Sequence, residues 1–324
     1  MGTNRKVYKY VPILTIMVYH EIRKINGKIQ NYIVYNERKN GKWVKKSRFI
    51  GYGNLNKVIL DKMKEEFKIE METKNSLLNK KQIEEIERLK KSYDKEIRNL
   101  NKEEFQSFQK SFVAELTYNS NAIEGSSLSL EDTKLILDEN IVPEGKSLRE
   151  IYEAKNHAEA LKFIEDYKGD LDELFILKLH RIILNNISER FAGGYRQTNV
   201  KIFGSDAKFP NATIVPQLMK NLFYWYNKNK RKIYPFELAV LFSMKLVSIH
   251  PFIDGNGRVS RLVMNFLLRK KNYPWINVYM KQRAEYLKAV RKANEEDYIP
   301  ILTFLIKTLR ENLKSFGLVG SRIF

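Results

Sequence analysis

The sequence has no cysteine among its 324 residues. A chain without cysteine can form neither a disulfide framework, nor a thiolate nucleophile, nor a zinc site with cysteine ligands. The lack of cysteine also suits a reducing compartment. We therefore expect a cytoplasmic protein whose chemistry depends on other side chains.

Long apolar runs are missing as well. The longest one near the start, Val11–Tyr19, is too short to span a bilayer. Basic residues precede it, as in a signal peptide, but the charged segment His20–Lys24 follows it in place of a small-residue cleavage site. Lys6 stands where an N-myristoylation signal has Ser or Thr. We expect no membrane partner.

Acidic residues are scarce in the first part of the chain. Residues 1–58 contain thirteen Lys and Arg against Glu21 and Glu37, within a chain of net charge +20. Such asymmetry is typical of proteins that bind nucleic acid or another acidic partner. The alternative is a solvated, lysine-rich surface. Both interpretations stay open, and nucleic acid, if it is a partner, is assigned to residues 1–58.

The basic residues 1–58 have the pattern of a small β-ribbon module. Ile29–Tyr35 and Trp43–Ile50 read as strands, and Asn-Gly pairs at 26–27 and 40–41 are strong turn signals. A ribbon of this size is stable only when it packs on another element.

Helical patterns dominate the rest of the sequence. Residues 59–104 predict a helical connector, with apolar residues at helical spacing from Ile83 to Leu100, and residues 105–324 predict a helical core. Ser129–Asp132 resembles a capping box that opens one helix. Further helices are predicted at about 147–167, 170–187, 215–229, 235–249, 258–271 and 280–315. Between them, the alternation and glycines of 192–214 predict a β-hairpin, so the fold class is mainly α.

The segment HPFIDGNGRVSR, residues 250–261, concentrates polar groups in one bend. Pro251 ends the preceding helix after His250. Gly255 and Gly257 allow peptide N–H groups to approach a ligand closely, and the next helix begins near Arg258. A glycine-bearing turn that opens a helix is suited to bind phosphate.

The charged residues of this segment fit the same ligand. Arg258 and Arg261, three positions apart on one helix face, can bind further phosphate groups. Asp254 can hold Mg²⁺ that bridges phosphate oxygens, and His250 is the one base of the set that is neutral near pH 7. Together they predict phosphoryl or nucleotidyl transfer from a nucleotide. The plainer alternative is an ordinary turn with a helix-capping histidine.

The segment resembles the signature of the Fic family, His-x-Phe-x-(Asp/Glu)-Gly-Asn-Gly-Arg-x-x-Arg, at every fixed position. The resemblance covers about residues 105–310. It implies a mostly helical Fic/Fido core with a β-hairpin flap, and transfer of AMP from ATP to a hydroxyl side chain of a target protein. Residues 105–324 would then be the Fic catalytic core with its inhibitory helix and C-terminal helices.

The resemblance also implies a role for each residue of the signature. His250 would deprotonate the target hydroxyl and Asp254 would hold Mg²⁺. Asn256, with the backbone of Gly255–Gly257, would bind the α-phosphate region of ATP. Arg258 and Arg261 would bind the β- and γ-phosphates. Phe252 would be a buried packing residue. Glycine at position 257, where some relatives have lysine, favours nucleotidyl transfer over phosphorylation.

A second stretch, SNAIEG at 120–125, resembles the inhibitory motif of the family, (Ser/Thr)-x-x-x-Glu-(Gly/Asn). Its place before the signature is that of the subgroup with an N-terminal inhibitory helix, here marked by Ser120, Glu124 and Gly125. Glu124 would pair with Arg261 and occupy the guanidinium that the γ-phosphate needs. The same glutamate would also be able to position a water that removes AMP from modified targets.

The hairpin at 192–214 resembles the family's flap, which would hold the target backbone by strand addition. The flap residues that we identify are Tyr195, Arg196, Val200, Ile202 and Phe209. Where the family often has a second proline after Pro210, this chain has Asn211.

The functional prediction is an ATP- and Mg²⁺-dependent protein adenylyltransferase, autoinhibited by Glu124, that modifies a Ser, Thr or Tyr hydroxyl of a target protein or of itself and releases pyrophosphate. One alternative is removal of AMP by a water that Glu124 positions. Another is a nucleotide-sensing regulator that binds nucleic acid. The resemblance further implies a homodimer.

Overall fold

The computed structural model describes residues 18–39, 42–73, 76–201, 208–315 and 317 of the chain. It is mainly helical, with one antiparallel sheet near the start, which confirms the predicted fold class. None of the helices within the described residues is long and apolar enough to cross a membrane.

The sheet has three strands in chain order: β1 (Tyr19–Ile25), β2 (Lys28–Lys39) and β3 (Lys42–Tyr52). Asn26 and Gly27 both have positive φ, 51° and 76°, as a two-residue hairpin turn requires. This confirms the first predicted turn. The second, at 40–41, lies outside the described residues.

Eleven α-helices lie within the described residues. They are α1 (Lys57–Thr73), α2 (Lys80–Asn99), α3 (Lys102–Ile123), α4 (Leu130–Lys134), α5 (Leu148–Asp166), α6 (Glu173–Leu184), α7 (Val215–Asn229), α8 (Pro235–Ile249), α9 (Asn256–Arg269), α10 (Arg283–Asn294) and α11 (Ile299–Ser315). The capping box at Ser129 is present: its hydroxyl accepts from Asp132 N–H, and the Asp132 carboxylate accepts from Ser129 N–H.

One helix predicted from the sequence is two helices in the structure. The segment 280–315 divides into α10 and α11, because Glu296 has a φ of 64° and Pro300 has no N–H to donate to the carbonyl of residue 296. The connector is likewise interrupted, at Asn101. Its side chain accepts from Glu104 N–H and so begins a new helix.

The strand character predicted for 192–214 is absent from the part of that segment that the structure describes. Residues 192–201 and 208–214 form turns and a 3₁₀ helix, Ala212–Ile214, with no strand among them. The two flanks are joined through side chains: Asn199 Oδ1 accepts from Ala212 N–H at 2.9 Å.

Helices α8 and α9 form the centre of the helical core. Ser243 on α8 and Ser260 on α9 donate to each other's backbone carbonyl, at 3.0 and 2.8 Å. Phe266 on α9 stacks on Phe175 of α6 with centroids 4.3 Å apart. Because both helices are buried along most of their length, the bend between them is held from both ends.

The chain divides into two compact units. Unit 1 contains Met1–Glu84 together with Asn227–Tyr234, and unit 2 contains Glu85–Tyr226 and Pro235–Phe324. In unit 1, Ile33 of the sheet packs with Phe67 of α1. This division falls inside α2, whereas the boundaries predicted at residues 58 and 104 follow the sequence pattern and stay predictions.

Candidate functional site

The bend between α8 and α9 is shaped by its own residues. His250 has a φ of 51° and Gly255 a φ of 79°, so the chain turns sharply at both ends. Phe252 between them is fully buried. The side chain of Asn256 accepts from Phe252 N–H and donates to Phe252 C=O, both at 2.9 Å. The Asn256 amide could bind phosphate only if these two hydrogen bonds to Phe252 broke.

The N-terminus of α9 faces this bend without a side-chain cap. Gly255 is the N-cap residue and has no side chain to offer, and the first helical bond runs from Val259 N–H to Gly255 C=O. The N–H groups of residues 256–258 therefore have no partner within the helix. Such a terminus attracts an anion through its free donors and the helix dipole.

His250 is held as a neutral imidazole with a defined tautomer. Burial lowers its pKa to about 4, against the smaller opposing effect of Val247. Its Nδ1 lies 3.4 Å from the carbonyl of Val247. Since a carbonyl only accepts, Nδ1 carries the proton and Nε2 keeps the basic lone pair. Phe209 stacks on the ring with centroids 4.0 Å apart.

Arg196 fastens the predicted flap to the bend. The side chain is almost fully buried, and its guanidinium donates to the carbonyls of His250 at 2.7 Å, Thr198 at 3.1 Å and Pro210 at 2.6 Å. Its own N–H donates to Pro251 C=O at 2.9 Å. One side chain thus links both flanks of the segment to the backbone of the histidine.

The other flap residues are spread around this contact. Tyr195 donates its hydroxyl to Glu173 at 2.9 Å, and its ring lies 5.9 Å from that of Phe252. Val200 is half-buried, and Phe209 covers His250. Ile202 lies outside the described residues.

Asp254 and Arg258 belong to a closed ring of four charges. Arg258 lies 3.1 Å from Asp254 and 3.2 Å from Glu153, and Arg149 lies 3.1 Å from Glu153 and is hydrogen-bonded to Asp254. Burial raises the pKa of Asp254, but Arg258, the N–H of Gly255 and Arg149 outweigh it and hold the pKa below its ordinary value. Asp254 is therefore ionised at neutral pH.

This carboxylate fits a magnesium ligand in a nucleotide site. Mg²⁺ in such sites takes one or two protein carboxylates and completes its shell with phosphate oxygens and water. No cluster of three or more acidic or histidine ligands occurs in the described residues, so the phosphates would have to supply most of the shell. Arg149 would have to release Asp254 for the metal to bind there.

Arg261 is held by the predicted inhibitory motif. The guanidinium donates to the Ser120 carbonyl at 2.8 Å, to the Ser120 hydroxyl and to Glu124 Oε1 at 2.8 Å. A Cβ built on Gly257 would collide with the same Glu124 oxygen. The Glu124 carboxylate therefore lies directly over the first turn of α9. Gly125, with a φ of 106°, turns the chain away at the end of α3.

The C-terminal end of α3, which presents Glu124, is anchored by the first residue of α10 and by the segment before it. Arg283 Nε donates to Ile123 C=O at 2.8 Å, and Met280 N–H donates to the Asn119 side chain at 2.8 Å. These contacts fix the direction in which the glutamate points.

Three residues of the site were not predicted from the sequence: Arg149, Glu153 and His180. Arg149 and Glu153 stand at positions i and i+4 on α5, an ordinary surface-pair spacing that gave no sign of their partners. His180 on α6 stacks on Phe252 at 3.7 Å, donates to Asp254 C=O and accepts from Gly193 N–H. Burial lowers its pKa to about 4, so it stays neutral and holds the bend.

Comparison with known sequences supports one family. The sequence model of the Fic/DOC family matches residues 170–268. Protein adenylyltransferase Fic of Drosophila grimshawi is 34% identical over 200 residues, which cover 60% of this chain and 41% of the relative. The protein of the same name from Drosophila melanogaster is also 34% identical, covering 60% and 40%. The chain thus spans about two fifths of the length of these curated relatives.

Solved structures agree in fold. A Fic domain containing signaling protein from Bacteroides thetaiotaomicron is 28% identical with a TM-score of 0.66, covering 72% of this chain and 97% of that one. Fic-1 (residues 134–508 of that protein) from C. elegans is 27% identical with a TM-score of 0.66, covering 73% and 72%. Residues 170–268, which match the Fic/DOC model, include the signature around His250, and the helices that display the signature are arranged as in these Fic structures.

Proposed function

We propose that this chain transfers AMP from ATP to a hydroxyl group of a protein and releases pyrophosphate. The observation that carries the proposal is the neutral imidazole of His250 at one end of a bend whose other end is the uncapped N-terminus of α9. A base and an anion site across one turn are what attack on a phosphate requires.

In the proposed reaction, Nε2 of His250 takes the proton of the target hydroxyl. The hydroxyl oxygen forms a bond to the α-phosphorus, the bond to the bridging α–β oxygen breaks, and pyrophosphate leaves. The N–H groups of residues 256–258 and the side chain of Arg261 stabilise the charged oxygens. Asp254 would hold Mg²⁺, which neutralises phosphate charge when it is bound.

Glu124 restrains this reaction in the proposal. Its carboxylate lies over the α9 turn and occupies Arg261, so ATP meets a negative charge where its own phosphates need a cation. ATP that binds beside it is displaced from the alignment that in-line attack needs, and misalignment is costly to rate.

The proposal is tested with the purified full chain, Mg²⁺ and ATP labelled at either the α- or the γ-phosphate. Wild type, Glu124→Gly and Glu124→Gly/His250→Ala are compared for label on protein. We expect label from the α-position only, strongest in Glu124→Gly and lost when His250 is replaced. Label from the γ-position would contradict nucleotidyl transfer, and equal label without His250 would contradict its role as base.

Removal of AMP is the second candidate. Arg261 binds Oε1 of Glu124, and the glutamate side chain keeps 39% of its surface exposed, which leaves room for a water on the carboxylate. A chain adenylylated with α-labelled ATP and then freed of nucleotide would lose its label over time if Glu124 activates such a water. Glu124→Gly would then retain the label. Self-modification, a homodimer and a cytoplasmic location stay predictions.

A further inference from the structure

Unit 1 holds most of the excess charge of the protein. Its two segments contain 23 Lys and Arg against 8 Asp and Glu, a net charge of +15 out of +20 for the chain. Four of these cations come from Asn227–Tyr234, which contains no acid: Lys228, Lys230, Arg231 and Lys232. Unit 1 thus combines the basic start of the chain with a basic segment that is distant in sequence.

The sheet of unit 1 has one face covered by α1 and one face that is exposed in part. Side chains alternate along a strand, and Ile33, Tyr35 and Ile50 form the face that packs with Met63 and Phe67 of α1. The opposite face, called the open face below, buries Val34 but leaves Phe49 and Tyr52 exposed.

Three aromatic rings line up on the open face. Tyr32 and Phe49 are direct cross-strand neighbours with centroids 5.6 Å apart, and Phe49 lies 4.9 Å from Tyr52. Phe49 is 44% exposed and Tyr52 63% exposed. Contiguous exposed aromatic surface marks a binding site more often than isolated apolar residues do.

Cationic side chains border these rings. The guanidinium of Arg23 lies 4.1 Å from the centroid of Tyr32, and Lys28 and Lys45 are exposed on the same face. Glu21, the cross-strand neighbour of Tyr32, forms ion pairs with Arg23 at 2.8 Å and with Lys45 at 2.6 Å. Rings that stack on bases, beside cations that bind phosphates, are the combination that single-stranded nucleic acid requires. In a duplex the flat faces of the bases stack on one another, so the aromatic side chains could not stack on them.

We propose that the open face of the unit 1 sheet, centred on Tyr32, Phe49 and Tyr52, binds single-stranded nucleic acid, and that the cations of Asn227–Tyr234 strengthen the binding. The rings stack on unpaired bases, and the cations release counterions from the phosphates. The site shares no residue with the one assigned to AMP transfer, so binding should survive the loss of His250.

The test uses fluorescence anisotropy of the full chain, on a His250→Ala background, with labelled 20-nucleotide DNA and RNA strands of one sequence and the matching DNA duplex. Phe49→Leu/Tyr52→Leu removes two rings but keeps apolar volume. Tyr224→Leu, a comparably exposed aromatic of unit 2, is its control. Lys230→Gln/Arg231→Gln/Lys232→Gln removes three charges, and Lys102→Gln/Lys168→Gln/Lys220→Gln, three exposed lysines of unit 2, is the control.

We expect single strands to bind more tightly than the duplex. The double leucine variant should weaken single-strand binding by about 10- to 100-fold and leave duplex binding nearly unchanged. The triple glutamine variant should make the dependence of log affinity on log salt shallower by about 2, since each lost phosphate contact accounts for about 0.7. The DNA and RNA strands report whether the 2′-hydroxyl contributes.

Three outcomes would overturn the proposal: no binding to any strand at low salt, equal affinity for strand and duplex, or an unchanged affinity in the double leucine variant. Displacement of single strands by heparin at equal charge concentration, in wild type and leucine variant alike, would also count against it. Circular dichroism of each variant confirms that the sheet is intact.

Discussion

Glu124 Oε1 accepts a hydrogen bond of 2.8 Å from Arg261 Nη2, joining residues 137 positions apart. Arg261 is nearly buried, while Glu124 keeps 39% of its side chain exposed. The arginine is thus fixed and the glutamate is the partner that can move. Neighbouring negative charge and hydrogen bonding from Glu124 raise the pKa of Arg261 against the effect of burial, so its charge is permanent.

Removing the glutamate should release the site. Glu124→Gly leaves Arg261 free for phosphate, and we expect label transfer from α-labelled ATP to rise by about 10-fold or more, since restored alignment and one charge-assisted bond are each worth that much. Glu144→Gly, an exposed loop glutamate, is the control and should leave the rate unchanged. A rate in Glu124→Gly equal to that of wild type would remove the basis for autoinhibition.

Arg149 should compete with Mg²⁺ for Asp254. Arg149→Gln removes a bound cation from the carboxylate, so ATP binding should reach its midpoint at a Mg²⁺ concentration lower by about 3- to 10-fold, or 0.6–1.4 kcal/mol. The measurement is fluorescence of a nucleotide analogue titrated with Mg²⁺ on a His250→Ala background, independent of catalysis. Arg149→Lys keeps the charge and should behave more like wild type. A higher Mg²⁺ requirement in Arg149→Gln would mean that Arg149 helps to build the site.

Gly257 should tolerate alanine only when Glu124 is gone. The added Cβ meets the Glu124 carboxylate and Arg261, so Gly257→Ala must break their ion pair or distort the turn, at a cost of about 1–3 kcal/mol. In the Glu124→Gly background the added methyl group contacts fewer atoms, so the same substitution should lower the melting temperature by a smaller amount. Equal losses in both backgrounds would show that the backbone of α9, rather than the glutamate, resists the methyl group.

Stability should fall as the pH is lowered from about 6.5 to 4. Burial lowers the pKa of His157 to about 3 and those of His180 and His250 to about 4, below the ordinary value of 6.5. The unfolded chain therefore binds protons in this window that the folded chain does not, so stability rises with pH through it and is lost as pH falls. The check is urea unfolding at several pH values. His180→Gln should flatten the dependence, and a stability unchanged across this window would contradict neutral burial.

The local parts of the site could be predicted because their contacts are local. The bend of residues 250–257 depends on a proline, two glycines and the Asn256–Phe252 bonds, all within eight positions. Helices α7 and α8 match their predicted bounds, since periodic apolar residues and Pro235 mark them. The pairing of Glu124 with Arg261 was also expected, but only from resemblance to a family.

The two segments whose observed structure differs from the predicted one share a cause. The prediction of one helix over 280–315 did not take Pro300 into account. In the described flanks of the predicted hairpin, 192–201 and 208–214, the backbone bonds to the side chains of Arg196 and Asn199 and forms no strand. Alternation and glycines indicate that a segment can pair as strands. Whether it does so depends on which other hydrogen-bond partners its backbone groups have in the folded protein.

By itself, the sequence determined the mainly helical fold, the shape of the bend at residues 250–257 and the candidate site residues within that bend, because dihedral preferences and contacts over a few positions govern all of them. The tertiary structure decided which distant groups meet: Arg149 and Glu153 with Asp254, His180 with Phe252, and the cations of Asn227–Tyr234 with the basic sheet unit. These meetings depend on how helices pack, and packing is set by the whole core rather than by any one segment.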